Sequence, residues 1–452
     1  MIDSLFRLLE QPLIWLSHRR ALGTRANHPQ ELGQGELLDT GEPVHFSARD
    51  LARHAYILGS TGCGKTTLIL KLIEQDLKRR HSVVVVDLRG DLVEGALGLC
   101  QRLEIDPARV TLLDLREKDL VVGFNPLSGA GEPYIRALHV LDVVASEAES
   151  WGVQLEESLR SALLLLAAAA EPLTKLEAVF YDRRFRSELL AKSQDEALVG
   201  FWQRFDELSP DKQQAWALPV LNKVTSLLSV PTLRAILSGA HGIGLGKHLT
   251  TKGSVLLVSL AVDELHRSSR MLGSLVVSAI SREMMARVTV SESKRNPVRL
   301  YVDEFENMAS ESFEGLIAEG RRFGLTLVLS HQTLSQLPGR LRSVVRNNVG
   351  IQLIFQCGFE DAKLLARELP PGIGLAELRT LEVGQAFVML RDGTTDAVQF
   401  HPPPDAPAAS VVAGYRLSVL RAHHGKGQPT LAATPTAKPK RDGHSAAKEE
   451  WL

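Results

Sequence analysis

Gly59-Ser60-Thr61-Gly62-Cys63-Gly64-Lys65-Thr66 satisfies every fixed position of the pattern Gly-x-x-x-x-Gly-Lys-[Ser/Thr]. Ala55-Tyr56-Ile57-Leu58 before it reads as a buried strand, and Thr67-Leu68-Ile69-Leu70-Lys71-Leu72-Ile73 after it reads as a helix. In that context the glycines let successive backbone N–H groups turn inward onto a β-phosphate at the positive end of the helix. Gly59, Ser60, Thr61, Gly62, Cys63, Gly64, Lys65, Thr66 and Thr67 are therefore the candidate nucleotide-binding residues. Lys65 is expected to bridge the β- and γ-phosphates of ATP, and the Thr66 hydroxyl to ligate Mg2+.

Outward from this loop, short β-rich runs alternate with helical stretches, the pattern of a parallel sheet covered by helices. The clearest strands are Ala55–Leu58, Ser82–Leu88, Val110–Leu115, Ser254–Leu260, Val298–Asp303, Leu325–Ser330, Val349–Gln356 and Gln385–Leu390. Several are near-continuous Val, Ile and Leu, as strands with both faces buried must be. Residues 132–248 break the pattern. They are rich in Leu and Ala at helical spacing (Leu155, Leu159, Leu163, Leu166) and read as an all-helical insertion after the third strand. The expected fold is α/β, a RecA-like motor domain with a mainly parallel central sheet and an inserted all-α domain. Its expected limits are 31–131 and 249–404 for the motor and 132–248 for the insertion. An amphipathic helix is expected over 1–30, and a short helix (Val411–Leu420) with a disordered tail over 405–452.

Three strand ends carry further chemistry. Val298–Asp303 runs into Asp303-Glu304; beside a phosphate loop, Asp303 is placed to hold the magnesium shell and Glu304 to activate the attacking water. Paired acids after a strand otherwise serve as a solvated turn or helix cap. Asp87 closes Val83-Val84-Val85-Val86-Asp87 on the edge where α/β sheets bind ligands, so it too is a candidate nucleotide contact. Asp91 is as well read as a helix cap. Leu325–Ser330 ends in His331-Gln332, and Gln332 is expected beside the γ-phosphate. Arg321 and Arg322 lie on the link into that strand; they are either solvated charges at a helix end or an arginine finger for a neighbouring subunit.

Bulk composition narrows the class. Lys and Arg (52) nearly cancel Asp and Glu (53), so attraction for nucleic acid must come from local patches. The cysteines Cys63, Cys100 and Cys357 have no metal-ligand spacing, which argues for a reducing compartment without disulfides or zinc. No segment approaches the ~20 apolar residues of a membrane-spanning helix. Met1–Arg20 lacks a signal-peptide pattern; its helix is read as docked on protein, with a membrane-surface anchor as the alternative. The expected location is cytoplasmic, with peripheral contact at the inner face of the membrane left open.

In order along the chain, these elements resemble the HerA/FtsK superfamily of ring-forming DNA motors, and within it the TraG/TraD-type coupling proteins of conjugation and type IV secretion. The matches are Gly59–Thr66, Val86-Asp87-Leu88-Arg89-Gly90-Asp91 for D-P-K-G-D, and Gly123-Phe124-Asn125-Pro126-Leu127 for G-F-N-P-L. Pro219–Val224, Asp303-Glu304-Phe305-Glu306-Asn307, Glu319–Gly324, Ser330-His331-Gln332 and Asn348-Val349-Gly350 continue the series. Leu88 and Arg89 depart from the family's Pro and Lys, and the transmembrane pair of typical coupling proteins has no counterpart.

The resemblance implies an ATP-hydrolysing, Mg2+-dependent motor that pumps DNA through a homo-oligomeric, hexameric ring. It also implies that Arg321, ahead of Arg322, is the arginine finger, that the insertion meets DNA or a relaxase, and that a secretion channel is a partner. Binding should be weakly sequence-specific and salt-sensitive, because phosphate contacts carry affinity rather than sequence information. Candidate basic groups are Arg183, Arg184 and Arg186, then Arg340, Arg342 and Arg346, with tail lysines Lys426, Lys438, Lys440 and Lys448. Two other readings stay open: a HerA-like translocase working with a nuclease in DNA processing or defence, and an ATP-dependent switch or assembly protein that never translocates.

Overall fold

The computed structural model describes residues 32–46, 51–239, 243–308, 310–370, 372–402 and 408–423. The expected helix over 1–30, the expected tail and the four tail lysines lie outside them.

Eleven strands form one sheet: β1 Leu32–Leu37, β2 Pro43–Phe46, β3 Ala55–Leu58, β4 Ser82–Asp87, β5 Val110–Asp114, β6 Val255–Ser259, β7 Val298–Asp303, β8 Leu325–His331, β9 Ile351–Phe355, β10 Gln385–Leu390 and β11 Thr395–Phe400. Their spatial order is β2-β1-β11-β10-β9-β3-β8-β7-β4-β6-β5. From β9 to β5 every pairing is parallel. From β9 to β2 every pairing is antiparallel. Each expected strand is present. The sequence reading missed β1, β2 and β11, which form the antiparallel wing, so the helical segment follows the fifth strand rather than the third.

The apolar runs are explained by two cores, one on each face. Val83 and Val85, with Ile57, Leu257 and Leu353, face a layer built from helices Lys65–Lys78 and Asp91–Arg102. Val84 and Val86, with Leu58, Val258, Leu300 and Leu329, face the opposite layer. Strand residues alternate between faces, so a strand buried on both must be apolar throughout.

That second layer is continuous with the helical segment. Helices Pro133–Ser146, Val153–Ala168, Glu196–Asp206 and Pro210–Leu228 bury Leu159, Leu163, Leu166, Val220 and Val224 in the same core as the sheet. The 24-residue helix Val262–Met285 joins the two parts. It reaches the segment through Ser268 Oγ, which donates to the Ser226 carbonyl (2.9 Å), and Ser278, whose Oγ lies 3.1 Å from His139 Nδ1; Arg282 donates to the carbonyls of Pro126 (3.1 Å) and Ser128 (2.7 Å), just ahead of the segment.

Within the helical segment Phe180, Phe201, Trp202, Phe205 and Trp216 pack mainly edge to face, with Trp202 and Phe205 centroids 5.2 Å apart. Arg186 corrects an expectation here. It is buried rather than facing solvent, its guanidinium 5.3 Å from the Trp202 and Phe205 rings. It pairs with Asp206 and donates to the carbonyls of Val179 (2.7 Å) and Phe180 (3.0 Å). An arginine committed in this way is a structural cation, not a DNA contact. Arg186→Ala is therefore expected to strand Asp206 and cost on the order of 3 kcal/mol. Urea denaturation checks this; an unchanged midpoint with weakened DNA binding would restore the surface role.

Candidate nucleotide and hydrolysis site

Four adjacent parallel strands, β3, β8, β7 and β4, end along one edge of the sheet. Their register aligns the ends: Leu58 lies opposite His331, Ser330 opposite Asp303, and Val302 opposite Val86. The next residues are the ones singled out from sequence: the 59–66 loop, Gln332, Asp303-Glu304 and Asp87.

The loop is fixed before any phosphate arrives. Ser60 N donates to Gln356 O (2.8 Å) and Gly384 N donates to Cys63 O (2.9 Å), which ties the loop to the ends of β9 and β10. Gly64 stands at the helix N-cap with φ 107°, and a Cβ there would lie 3.0 Å from Gly384 N and 3.1 Å from its Cα. A Cβ on Gly59 would lie 2.6 Å from that of Phe355. Both positions thus require glycine for space, and Gly64 also for its backbone angle. Lys65 Nζ donates to the carbonyls of Gly59 (2.6 Å) and Ser60 (2.9 Å), so the ammonium is held over the loop, while Thr66 is exposed.

Beside the loop runs a chain of polar contacts. Thr61 Oγ1 donates to Gln332 Oε1 (3.1 Å), and Gln332 Nε2 donates to Glu304 Oε1 (2.6 Å). The same Glu304 oxygen accepts from the Arg89 guanidinium at 2.9 Å. Glu304 sits in the left-handed region at φ 50°, a placement costing roughly 1 kcal/mol or more, and donates its N–H to Asp303 Oδ1 (3.1 Å). Arg89 was not read as a site residue from sequence. The signal was its place two residues past Asp87, where the resembled family carries a lysine.

Asp87 departs from its expected role. Its carboxylate accepts from the backbone N–H groups of Arg89 (2.9 Å), Leu92 (2.8 Å) and Val93 (3.2 Å). It is Asp87, not Asp91, that satisfies the start of helix Asp91–Arg102, and its oxygens are committed to that turn. It shapes the strand end instead of reaching toward a nucleotide.

Burial pushes the Asp303 carboxyl up to about 6, with the charges of Asp87 and Glu304 acting in the same sense. Burial likewise raises Glu306 to about 7, reinforced by Glu304 and Asp303. Burial lowers His331 to about 3, so its ring is neutral; it packs on Tyr56 (5.3 Å) and Phe305 (5.4 Å) as part of the wall. Crowded acids whose ionised forms are disfavoured suit a hard divalent cation, and the Thr66 hydroxyl with Asp303 supplies the oxygen donors Mg2+ prefers. Among the described residues no group of three or more His, Cys, Asp or Glu forms a metal cage. A magnesium ion held by one or two protein oxygens and by phosphates needs none.

Arg321 and Arg322 lie on the 3-10 turn Gly320–Phe323 that leads into β8, and both are exposed. They stand at the opposite edge of the sheet, seven strand residues from the phosphate edge, on the order of 23 Å. Neither reaches this chain's own loop. Of the proposed basic groups, Arg183, Arg184 and Arg340 remain 78%, 90% and 71% exposed while touching Asp206, Glu188 and Glu314. Arg342 is turned to the carbonyls of Leu334 (2.6 Å) and Leu337 (3.3 Å), and Arg346 pairs with Glu368.

Comparison with known proteins follows this geometry. Residues 32–195 match the family model described as Helicase HerA, central domain. Over that stretch the chain resembles a P-loop ATPase of the HerA kind. Its fold is also that of the plasmid coupling protein TrwB. The TrwB complex with ADP and Mg2+ aligns at TM-score 0.63 and 17% identity, over 86% of this chain and 94% of that one. TrwB with the GTP analogue GDPNP aligns at 0.61 and 17% identity, over the same shares. VirB4 of Thermoanaerobacter pseudethanolicus aligns at 0.55 and 13%, over 84% of this chain and 98% of that one. None of the curated proteins compared matches this chain in sequence. Among the described residues no helix is long and apolar enough to cross a membrane.

The raised Asp303 carboxyl gives a test of the site without nucleotide. Its folded-state value lies above the ~3.9 of an unfolded aspartate, so its contribution to stability is greatest in acid and is lost as pH rises through 6. In metal-free buffer, Asp303→Asn should raise the melting temperature at pH 7.5, equivalent to at most about 3 kcal/mol, and much less at pH 5. Scanning calorimetry at both pH values measures the difference; equal shifts would place the carboxyl in a water-like setting.

Proposed function

We propose that the chain is the ATP-hydrolysing subunit of an oligomeric, mostly sequence-independent DNA motor of the coupling-protein kind, pumping DNA through a ring of six copies. The observation that carries the reading is the unbroken run of contacts from Thr61 through Gln332 to Glu304. It links the phosphate loop to a carboxylate and an amide, the two groups needed to orient an attacking water and to register the γ-phosphate. In this reading the loop residues bind ATP, Lys65 neutralises the β- and γ-phosphates, and Thr66 and Asp303 hold Mg2+. Glu304 acts as general base and Gln332 senses the γ-phosphate. TrwB, of the same fold, is seen with ADP and Mg2+ and with a GTP analogue, in support of a nucleotide and magnesium site at this place.

Oligomerisation is supported by the position of Arg321. An exposed arginine at the edge remote from its own phosphate loop is placed to serve a neighbour's, which is how adjacent subunits complete one another's sites. The helical segment, 132–248, is the lobe we assign to DNA or a relaxase. Arg183 and Arg184 are its most exposed candidate cations, each beside a single carboxylate, and contacts of this kind grip phosphate rather than sequence. A second reading, a translocase working with a nuclease, is favoured by the HerA central-domain match over residues 32–195.

Glu304→Gln is expected to lower kcat at least about a hundredfold while ATP still binds, and Lys65→Ala to abolish both. Steady-state turnover and nucleotide binding of each variant read this out; full activity in either removes the assignment. DNA should stimulate the wild-type rate, and the effect should fade between 50 and 200 mM salt, roughly as phosphate contacts do. Comparing single- with double-stranded DNA then identifies the substrate form, and no stimulation by either favours the non-translocating switch.

Mixing Arg321→Ala with Lys65→Ala subunits provides the test in trans. Each variant alone should be inactive, and the mixture should regain a measurable fraction of wild-type turnover. Normal hydrolysis by Arg321→Ala alone would mean that the finger is another residue.

A further inference from the structure

Glu304 does not stand free. Its Oε1 receives both the Gln332 amide and the Arg89 guanidinium, at 2.6 and 2.9 Å. An oxygen already accepting a charged and a neutral donor has its lone pairs engaged and is held away from an attacking water. The contact is also one that can be broken. The Arg89 side chain is 56% exposed, and an accessible ion pair of this kind is worth little more than 1 kcal/mol.

What holds Arg89 comes from elsewhere in the fold. Arg116 Nη1 donates to the Arg89 carbonyl (2.9 Å), while its Nη2 donates to Asp263 (2.7 Å) and its Nε lies 3.5 Å from Glu264. The turn has no spare room: a Cβ on Gly90, at φ 101°, would lie 2.7 Å from Arg116 Nη1 and 2.9 Å from Ser259 Oγ. Asp263 and Glu264 open helix Val262–Met285, which is entered through Ala261 at φ 46° and bent at His266 (φ 43°, ψ −107°). Val262 N donates to the Leu88 carbonyl (2.8 Å), so the helix start and the Arg89 turn are joined twice. The same helix meets the helical segment at Ser268, bonded to the Ser226 carbonyl, and at Ser278, whose Oγ lies 3.1 Å from His139 Nδ1. One connected set of contacts therefore runs from that segment to the hydrolytic carboxylate.

We propose that Arg89 is a positioning residue that restrains Glu304 in the resting enzyme, and that Arg116 couples this restraint to the Val262–Met285 helix and so to ligand held by the helical segment. The proposal rests on the reading of Glu304 as general base. Displacement of the helix start shifts Arg116, frees the Arg89 turn, and leaves Glu304 to Gln332 and the attacking water. Arg89 acts through Glu304 and touches no reacting atom.

The test is steady-state ATP turnover by the full chain, with and without DNA. Without DNA, Arg89→Ala should raise kcat about threefold to tenfold at unchanged KM, the size expected for losing an accessible charge pair. Arg89→Lys keeps the charge and should fall back toward the wild-type rate, which a merely structural position would not show. Arg116→Ala should raise the DNA-free rate in the same direction and by less. In Arg89→Ala and Arg116→Ala the ratio of DNA-stimulated to DNA-free turnover should fall toward one, while Arg89→Lys should keep it near the wild-type value. A DNA-free kcat for Arg89→Ala that is lower than or equal to wild type overturns the proposal; a lower one would mean that Arg89 assists the phosphates instead. If wild type ignores DNA, the motor reading fails separately, while the DNA-free comparison still decides the restraint. Should Arg89→Ala melt early, the Arg89→Lys and Arg116→Ala pair carries the same comparison.

Discussion

Parallel pairing of β3, β8, β7 and β4 is the constraint on which the site depends. Because parallel strands point the same way, everything that follows their last residues is delivered to one edge, and the register sets how far each end projects. Lys65 and Glu304 are separated by more than two hundred residues in sequence and by two strand spacings in the sheet. The cost is that each strand must be apolar on both faces, which the two cores supply. The acids and the amide of the site enter where strands stop. The buried residues around the site, His331 and Tyr56 among them, are accordingly uncharged and serve as wall.

Charge at that edge is arranged against itself. Asp87, Asp303, Glu304 and Glu306 crowd together, with Lys65 and Arg89 as the nearby cations. Asp87 is quieted by three backbone N–H groups, whereas Asp303 and Glu306 are pushed toward their protonated forms. An edge of this kind is poorly satisfied alone and well satisfied by a divalent cation with an anionic ligand. Such a site gains more from its ligand than one already neutralised by its own residues.

What could be read from sequence was what local pattern encodes. The phosphate loop, the Asp303-Glu304 pair, Gln332, eight strands and the helical stretch all announce themselves through spacing or periodicity. What could not be read depends on distant partners. Strands β1, β2 and β11 are mixed in polarity and stabilised by one another, so no single run marks them. Arg186 looks like a surface cation until the Trp202 and Phe205 rings of a later helix close over it. Gly384 carries no motif, yet its backbone lies against Gly64. Arg89 becomes meaningful only when β4 and β7 are known to be neighbours. His54 is similar: its Nδ1 accepts from Leu327 N (3.0 Å) and its Nε2 faces Ile317 O (3.1 Å), a brace seen only in three dimensions.

The apolar layer shared by the sheet and the helical segment has a consequence for how the molecule can change. Two bodies joined by a hinge can exchange or lose one member without cost to the other. Here Leu159, Leu166 and Val224 belong to the same packed interior as Leu300 and Leu329. The segment cannot be traded as a cassette, and sequence drift on its inward face is paid for under the nucleotide edge. Its outward face is the part left to diversify.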